Sequence, residues 1–323
     1  MKKIIGLLAL ILIINSCDDG DVTIQNITFE DVASSSNCND LVYKIKGNEA
    51  LIIKIVNGAT LAYPNVVTPI GVPTSIDISG TTQVIYRNYN GTPTANNFCS
   101  SPPPANPSVT EEWNATGGTI EITTTAVKST NTTTNATTIT GYNHYIVLKN
   151  VTFQKPTGTQ VYEKFVFGNY VTTNTLTFPN SSTGLDLIRC TAGNTNTVYY
   201  SATTQGVILD NLDPTLIANT TSTATRTAAL GTSTNKLSWK IYSATIPADF
   251  FCATVTPSSP AISEQWDANN TITSGTIEVT TSTVGTGSST VYTHKIHLKN
   301  ATLTKGTLSF YLGDDYYFGN LVQ

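Results

Sequence analysis

The stretch FCSSPPPANPSVTEEWNATGGTIEITTTAV, Phe98–Val127, decides the fold, because it returns as FCATVTPSSPAISEQWDANNTITSGTIEVTTSTV at Phe251–Val284. Cys99 answers to Cys252, Glu111 to Glu264 and Trp113 to Trp266, all at one constant offset. The likeness runs on: HYIVLKNVTFQK from His144 recurs as HKIHLKNATLTK from His294, and Phe167-Gly168-Asn169 as Phe318-Gly319-Asn320. Self-similarity at a fixed period marks a repeat architecture, and this period has the size of a domain. The expected organisation is a tandem duplication, with one repeat over 22–170 and a second over 171–323.

Working outward from the repeated stretch, each copy breaks into short alternating runs. In the first copy these are VTIQNITF (Val22–Phe29), LVYKIK from Leu41, ALIIKIV from Ala50, TSIDIS from Thr74 and QVIYRNY from Gln83. After Trp113 come GTIEITTTA, YNHYIVLKNVTF and QVYEKFVFG. Gly, Asn and Pro separate the runs, as turns require. That makes about eight strands per copy and no 3.6-residue period. Pro102, Pro103, Pro104 and Pro107 cannot donate to a sheet ladder, so their segment lies outside the sheet interior. The Thr-rich stretch from Lys128 to Thr140 is shorter in the second copy and reads as a hairpin tip. The expected fold class is all-β, two tandem homologous β-sandwich domains. An immunoglobulin topology is not expected, because Trp113 and Trp266 follow the second cysteine of their copies.

Composition narrows the class of partner. Only 12% of residues are charged and the net charge is −4, which gives nucleic acid no electrostatic footprint. Four cysteines fall two per copy, Cys38 with Cys99 and Cys190 with Cys252, at nearly equal separations of 61 and 62 positions. Four cysteines allow three connectivities; the duplication favours one bridge inside each repeat. No C-x-x-C spacing or neighbouring histidine suggests zinc, and no cofactor or metal is expected.

The N-terminus carries an address. Lys2 and Lys3 precede an apolar run from Ile4 to Ile14, too short to span a bilayer and suited to a signal peptide. Ile14-Asn15-Ser16-Cys17 follows, and then Asp18, Asp19, Gly20 and Asp21. The first of these resembles a bacterial lipobox, though it carries Asn15 and does not begin with Leu. With the acidic cluster it is similar to the N-termini of cell-surface lipoproteins of Bacteroidetes-type bacteria. The resemblance implies a signal peptide over 1–16, a lipidated Cys17 and an acidic tether over 17–21. It further implies membrane attachment through the lipid, on the outer membrane and facing the exterior.

Candidate chemistry is sparse. Glu111 and Glu264 stand two residues before Trp113 and Trp266, and a carboxylate beside an aromatic ring is a common way to build a sugar site. The same pattern also describes a tryptophan plugging a core near a disulfide. Glu111, Glu112 and Glu121, with Glu264 and Glu278 in the second copy, are the only carboxylates that could supply the pair a glycoside hydrolase needs. Hydrolysis through Glu111 or Glu112 is a third reading; Glu121 and Glu278 alternate outward among threonines. His144 and His294 fall on the apolar face of matching strands, where a hydrogen-bonded core histidine is expected; His297 has no counterpart. Asp314-Asp315 could touch calcium, but the first copy has Glu163-Lys164 there. The expected function is non-enzymatic display of two β-sandwich domains for adhesion, binding or envelope structure, with a glycan or another surface protein as partner. The alternative is a glycan-binding lipoprotein using Trp113 and Trp266.

Overall fold

The computed structural model describes residues 26–32, 35–55, 63, 65–220, 224–268 and 275–323. The expected signal peptide, lipidated Cys17 and acidic tether, and the first part of the expected Val22–Phe29 strand, lie outside them. The chain is all-β, with 55% strand against 4% helix.

The first eight strands are β1 (Ser36–Cys38), β2 (Leu41–Lys46), β3 (Glu49–Ile55), β4 (Thr74–Asp77), β5 (Thr82–Tyr89), β6 (Val109–Thr130), β7 (Thr137–Lys155) and β8 (Gly158–Leu176). They form one sheet in the order β1-β2-β3-β5-β6-β7-β8, with β4 paired to β6. Residues 26–29 are not part of it, contrary to the expected first strand. Lysine ammoniums hold carbonyls in and just after this segment instead: Lys44 Nζ donates to Phe29 O (3.3 Å) and Val32 O (2.7 Å), and Lys46 Nζ to Thr28 O (2.8 Å).

The next strands are β9 (Leu185–Asp186), β10 (Ile188–Arg189), β11 (Val198–Ala202), β12 (Gln205–Asp210), β13 (Arg226–Ala229) and β14 (Lys236–Tyr242). After them come β15 (Ile262–Asp267), β16 (Thr276–Val284), β17 (Val291–Lys299), β18 (Thr302–Lys305), β19 (Leu308–Tyr311) and β20 (Asp315–Val322). A seven-stranded sheet runs β10-β11-β12-β14-β15-β18-β19 and a five-stranded one β13-β16-β17-β20-β9. The residues that β6, β7 and β8 carry as continuous strands in the first copy are laid out as six separate strands in the second.

At matching places both copies hold a glycine and an asparagine at positive φ. Gly118 and Gly275 have φ of 117° and 98°, and Asn150 and Asn300 have φ of 48° and 53°. A Cβ on Gly118 would lie 2.7 Å from Val151 Cα, and one on Gly275 2.6 Å from Lys299 O. Neither the backbone angle nor the space admits a side chain.

The chain resolves into two compact units. One is drawn from the described residues of 1–59, 75–121 and 146–169, the other from those of 60–74, 122–145 and 170–323. In the first, alternation along the strands delivers Leu51, Tyr86, Trp113, Phe153 and Phe167 to a buried aromatic-rich core. Trp113 packs on Tyr86 with ring centroids 4.7 Å apart. In the second, the seven- and five-stranded sheets contribute to one sandwich-like core with Trp239, Trp266, Ile277, Ile296, Phe310 and Phe318, which also takes in Ile139 and Tyr142.

Both disulfides join cysteines of the same copy. Cys38–Cys99 and Cys190–Cys252 have Cα separations of 5.8 and 5.2 Å. Each ties the edge of its sheet to a one-turn helix, Asn96–Cys99 or Phe250–Cys252, that carries a phenylalanine. Phe98 packs on Tyr43 with tilted rings 4.6 Å apart, and Phe251 meets Tyr199 at 5.1 Å. The second bridge thereby roofs a small cluster of Tyr199, Ile208, Tyr242, Phe250 and Phe251.

Candidate ligand-binding groove

The tryptophans are core residues, which corrects the stacking-platform expectation. Trp113 and Trp266 are fully shielded from solvent, so neither ring face is open to a sugar. Each indole N–H donates to the carboxylate two residues earlier, Trp113 Nε1 to Glu111 Oε1 and Trp266 Nε1 to Glu264 Oε1, both at 2.8 Å. Residues two apart share a face of a strand, so the E-x-W spacing supplies the acceptor that a buried indole needs. Lysines complete the covering: Lys155 Nζ stands 4.9 Å from the Trp113 ring and Lys305 Nζ 5.8 Å from that of Trp266. Lys305 also pairs with Glu264 at 3.2 Å.

The other carboxylates singled out are engaged structurally. Glu112 accepts from Arg87 Nε at 2.7 Å and from Asn114 Nδ2 at 3.1 Å, and these partners outweigh its burial to hold its pKa below the usual carboxylate range. Glu121 pairs with Lys149 and Glu278 with Lys299, at 3.8 and 3.7 Å. Asp315 joins His297 (2.6 Å) and Lys299 (2.7 Å), while Asp314 accepts from Asn135 and Tyr311.

His144 and His294 are fully buried, each with both ring nitrogens bonded. His144 lies between Thr124 Oγ1 (2.9 Å) and Thr172 Oγ1 (3.0 Å). His294 lies between Thr281 Oγ1 (2.9 Å) and Asn219 Oδ1 (3.0 Å). Burial lowers both pKa values to about 4, with Arg226 and Arg189 adding to the effect at His294. They are neutral bridges that satisfy polar groups inside the core.

Among the described residues, a groove shaped for a ligand lies on the opposite face of β14 and β15. There Ser238 faces Asp267 and Lys240 faces Gln265 across the ladder, while Trp239 and Trp266, one residue along, point into the core. With the Phe250–Cys252 turn as one wall, these residues line a groove of about 470 Å³, together with Ile208, Asp210, Lys236 and Phe251. Asp267 accepts from Ser238 Oγ (2.8 Å) and from Gln265 Nε2 (2.9 Å). Asp210 is paired with Lys236 at 2.5 Å. Among the described residues Lys240 has no carboxylate partner.

Reading for chemistry-bearing motifs misses this groove. The signal that marks it is divergence at outward positions: Ile85, Arg87, Glu112 and Asn114 in the first copy stand where the second has Ser238, Lys240, Gln265 and Asp267. Among the described residues, no group of three or more His, Cys, Asp or Glu is placed to hold a metal ion. Comparison with protein-family models, with curated proteins and with solved structures finds no match to this chain.

Proposed function

We propose that this chain is a lipid-anchored protein of the outer membrane, facing the exterior, that displays two homologous β-sandwich repeats for binding rather than catalysis. The observation that carries the reading is the split between inner and outer faces. The two copies keep the same buried set, Trp113 and Trp266 with Glu111 and Glu264, and His144 and His294. On the outward face of β14 and β15 they differ at Ser238, Lys240, Gln265 and Asp267, which stand where the first copy has Ile85, Arg87, Glu112 and Asn114. A scaffold held constant beneath a varied surface is how a binding module diversifies. Two bridges of the kind that persist in oxidising compartments support export.

Metabolic labelling with a fatty-acid probe and protease treatment of intact cells test the reading together. Label on the native chain, lost in Cys17→Ser, and cleavage on intact cells are the expected results. A mature N-terminus other than Cys17, or protection from protease until the outer membrane is opened, would overturn the anchor or its orientation. Catalytic turnover of a bound partner would overturn the non-catalytic part.

A further inference from the structure

We infer that the groove on β14 and β15 binds an uncharged polyhydroxylated ligand, a neutral saccharide, and that the equivalent face of the first repeat does not. The inference rests on the binding reading above and names the ligand class of the second repeat. Ser238 and Asp267 form one cross-strand pair, and Lys240 and Gln265 the next on the same face. Such pairs sit about 5 Å apart across the ladder and about 7 Å apart along the strand, the span of one sugar ring with its hydroxyls. The array alternates donors and acceptors. The Lys240 ammonium offers three N–H donors, the Gln265 carbonyl oxygen accepts, and the Asp267 carboxylate has about four acceptor sites, not all used by Ser238 and Gln265.

Charge selects against ionic ligands. Lys236 is neutralised by Asp210, which leaves Lys240 and Asp267 as one cation and one anion on the same wall. A polyanion meets the Asp267 carboxylate and a polycation meets Lys240, whereas hydroxyls, both donors and acceptors, serve each. Phe251 and Ile208 add apolar surface for ring C–H groups, and the volume falls within the range of small-molecule sites, roughly 300–1,000 Å³. In the first repeat the corresponding groups consume one another: Arg87 and Asn114 both donate to Glu112, and Ile85 replaces the serine.

Affinity electrophoresis of the purified full-length chain tests this, in native gels cast with neutral polysaccharides (starch, dextran, xyloglucan, galactomannan) or with acidic ones (alginate, polygalacturonate). Retardation by at least one neutral polymer is expected. Lys240→Ala and Gln265→Ala should each weaken it at least tenfold, and Arg87→Gln should leave it unchanged. Ser238→Ile, which installs the first repeat's residue, should abolish it. Among the described residues Lys240 has no carboxylate partner to lose, so its variant reports on binding without a folding defect, and an unchanged near-ultraviolet circular dichroism spectrum checks this. Retardation by acidic polymers alone, by none of the polymers, or equally in the Lys240→Ala variant would overturn the inference. Those results leave the anchor and display reading standing, because labelling and protease accessibility on cells decide that separately.

Discussion

Trp113 donates its indole N–H to Glu111, two residues back on the same strand, at 2.8 Å, and Trp266 repeats the arrangement with Glu264. The carboxylate serves the fold. Replacing Glu111 by Leu strands a buried donor, which should cost about 1–3 kcal/mol. Glu111→Gln keeps an acceptor and should cost much less. Urea denaturation followed by tryptophan fluorescence measures both; equal losses in the two variants would show that the carbonyl acceptor is not what matters.

That pair also shows what was legible in the sequence and what was not. The spacing E-x-W announced a shared face, but the same two residues describe a sugar platform and a satisfied core plug. Only burial separates them. The strand set around Leu41–Lys46, Thr82–Tyr89 and the two bridges could be read from alternation and cysteine placement, since both depend on local chemistry. The groove could not, because it exists only where β14 and β15 pair and the Phe250–Cys252 turn folds over beside them. The lysine latch on Thr28, Phe29 and Val32 is likewise a long-range contact, and it overrode a local pattern that reads as a strand.

The buried histidines make stability depend on pH in a defined direction. In the folded chain His144 and His294 resist protonation down to about 4, whereas an unfolded imidazole takes up a proton near 6.5. Below that value the unfolded state binds more protons, so stability falls with pH. Their contribution should be complete above pH 6.5, decline as pH drops toward 4, and level off below. Urea midpoints at pH 7.5, 6.0 and 5.0 should show the decline. His144→Gln combined with His294→Gln should flatten it, and an unchanged slope in that double variant would assign the effect to other groups.

Gly118 and Gly275 sit at positive φ against the backbone of a neighbouring strand. Gly118→Ala and Gly275→Ala each place a methyl carbon within 2.7 Å of backbone on the neighbouring strand, at a φ that side chains avoid. Backbone strain of this kind costs of the order of 1–3 kcal/mol before the clash is counted. Both variants should unfold at clearly lower temperature, while Gly47→Ala, which has open space around it, should lose less. Calorimetry that found all three alike would remove the steric argument.

The two bridges close chain separations of 61 and 62 residues. In the chain-entropy model each such closure stabilises by up to roughly 4 kcal/mol. Cys190→Ala with Cys252→Ala should therefore lower stability by a few kcal/mol and free the Phe250–Cys252 turn that walls the groove. Loss of saccharide retardation should accompany it, even at temperatures where the variant remains folded. Retained binding in that variant would mean that the turn does not shape the site.

The Thr-rich hairpin makes the boundary of the repeat a poor place to cut. Thr130 ends β6 and Thr137 begins β7, so the stretch is a hairpin tip, as its composition implied. The tip is nonetheless docked: Tyr311 N donates to Thr137 Oγ1 at 2.7 Å, Asp314 N to Thr134 O at 3.0 Å, and Asn135 Nδ2 to Asp314 Oδ2 at 2.8 Å. Ile139 and Tyr142, just beyond it, are buried in the core that contains Leu312, Tyr316 and Phe318. A fragment of residues 171–323 loses all of these. Truncating a buried Ile alone typically costs about 2–5 kcal/mol, so Ile139→Ala in the full chain should destabilise this core by that amount. The isolated fragment, lacking Tyr142 and the three hydrogen bonds as well, should unfold at lower denaturant still. If 171–323 unfolded at the same urea concentration as the corresponding transition of the intact chain, the hairpin would be packed against this core without stabilising it.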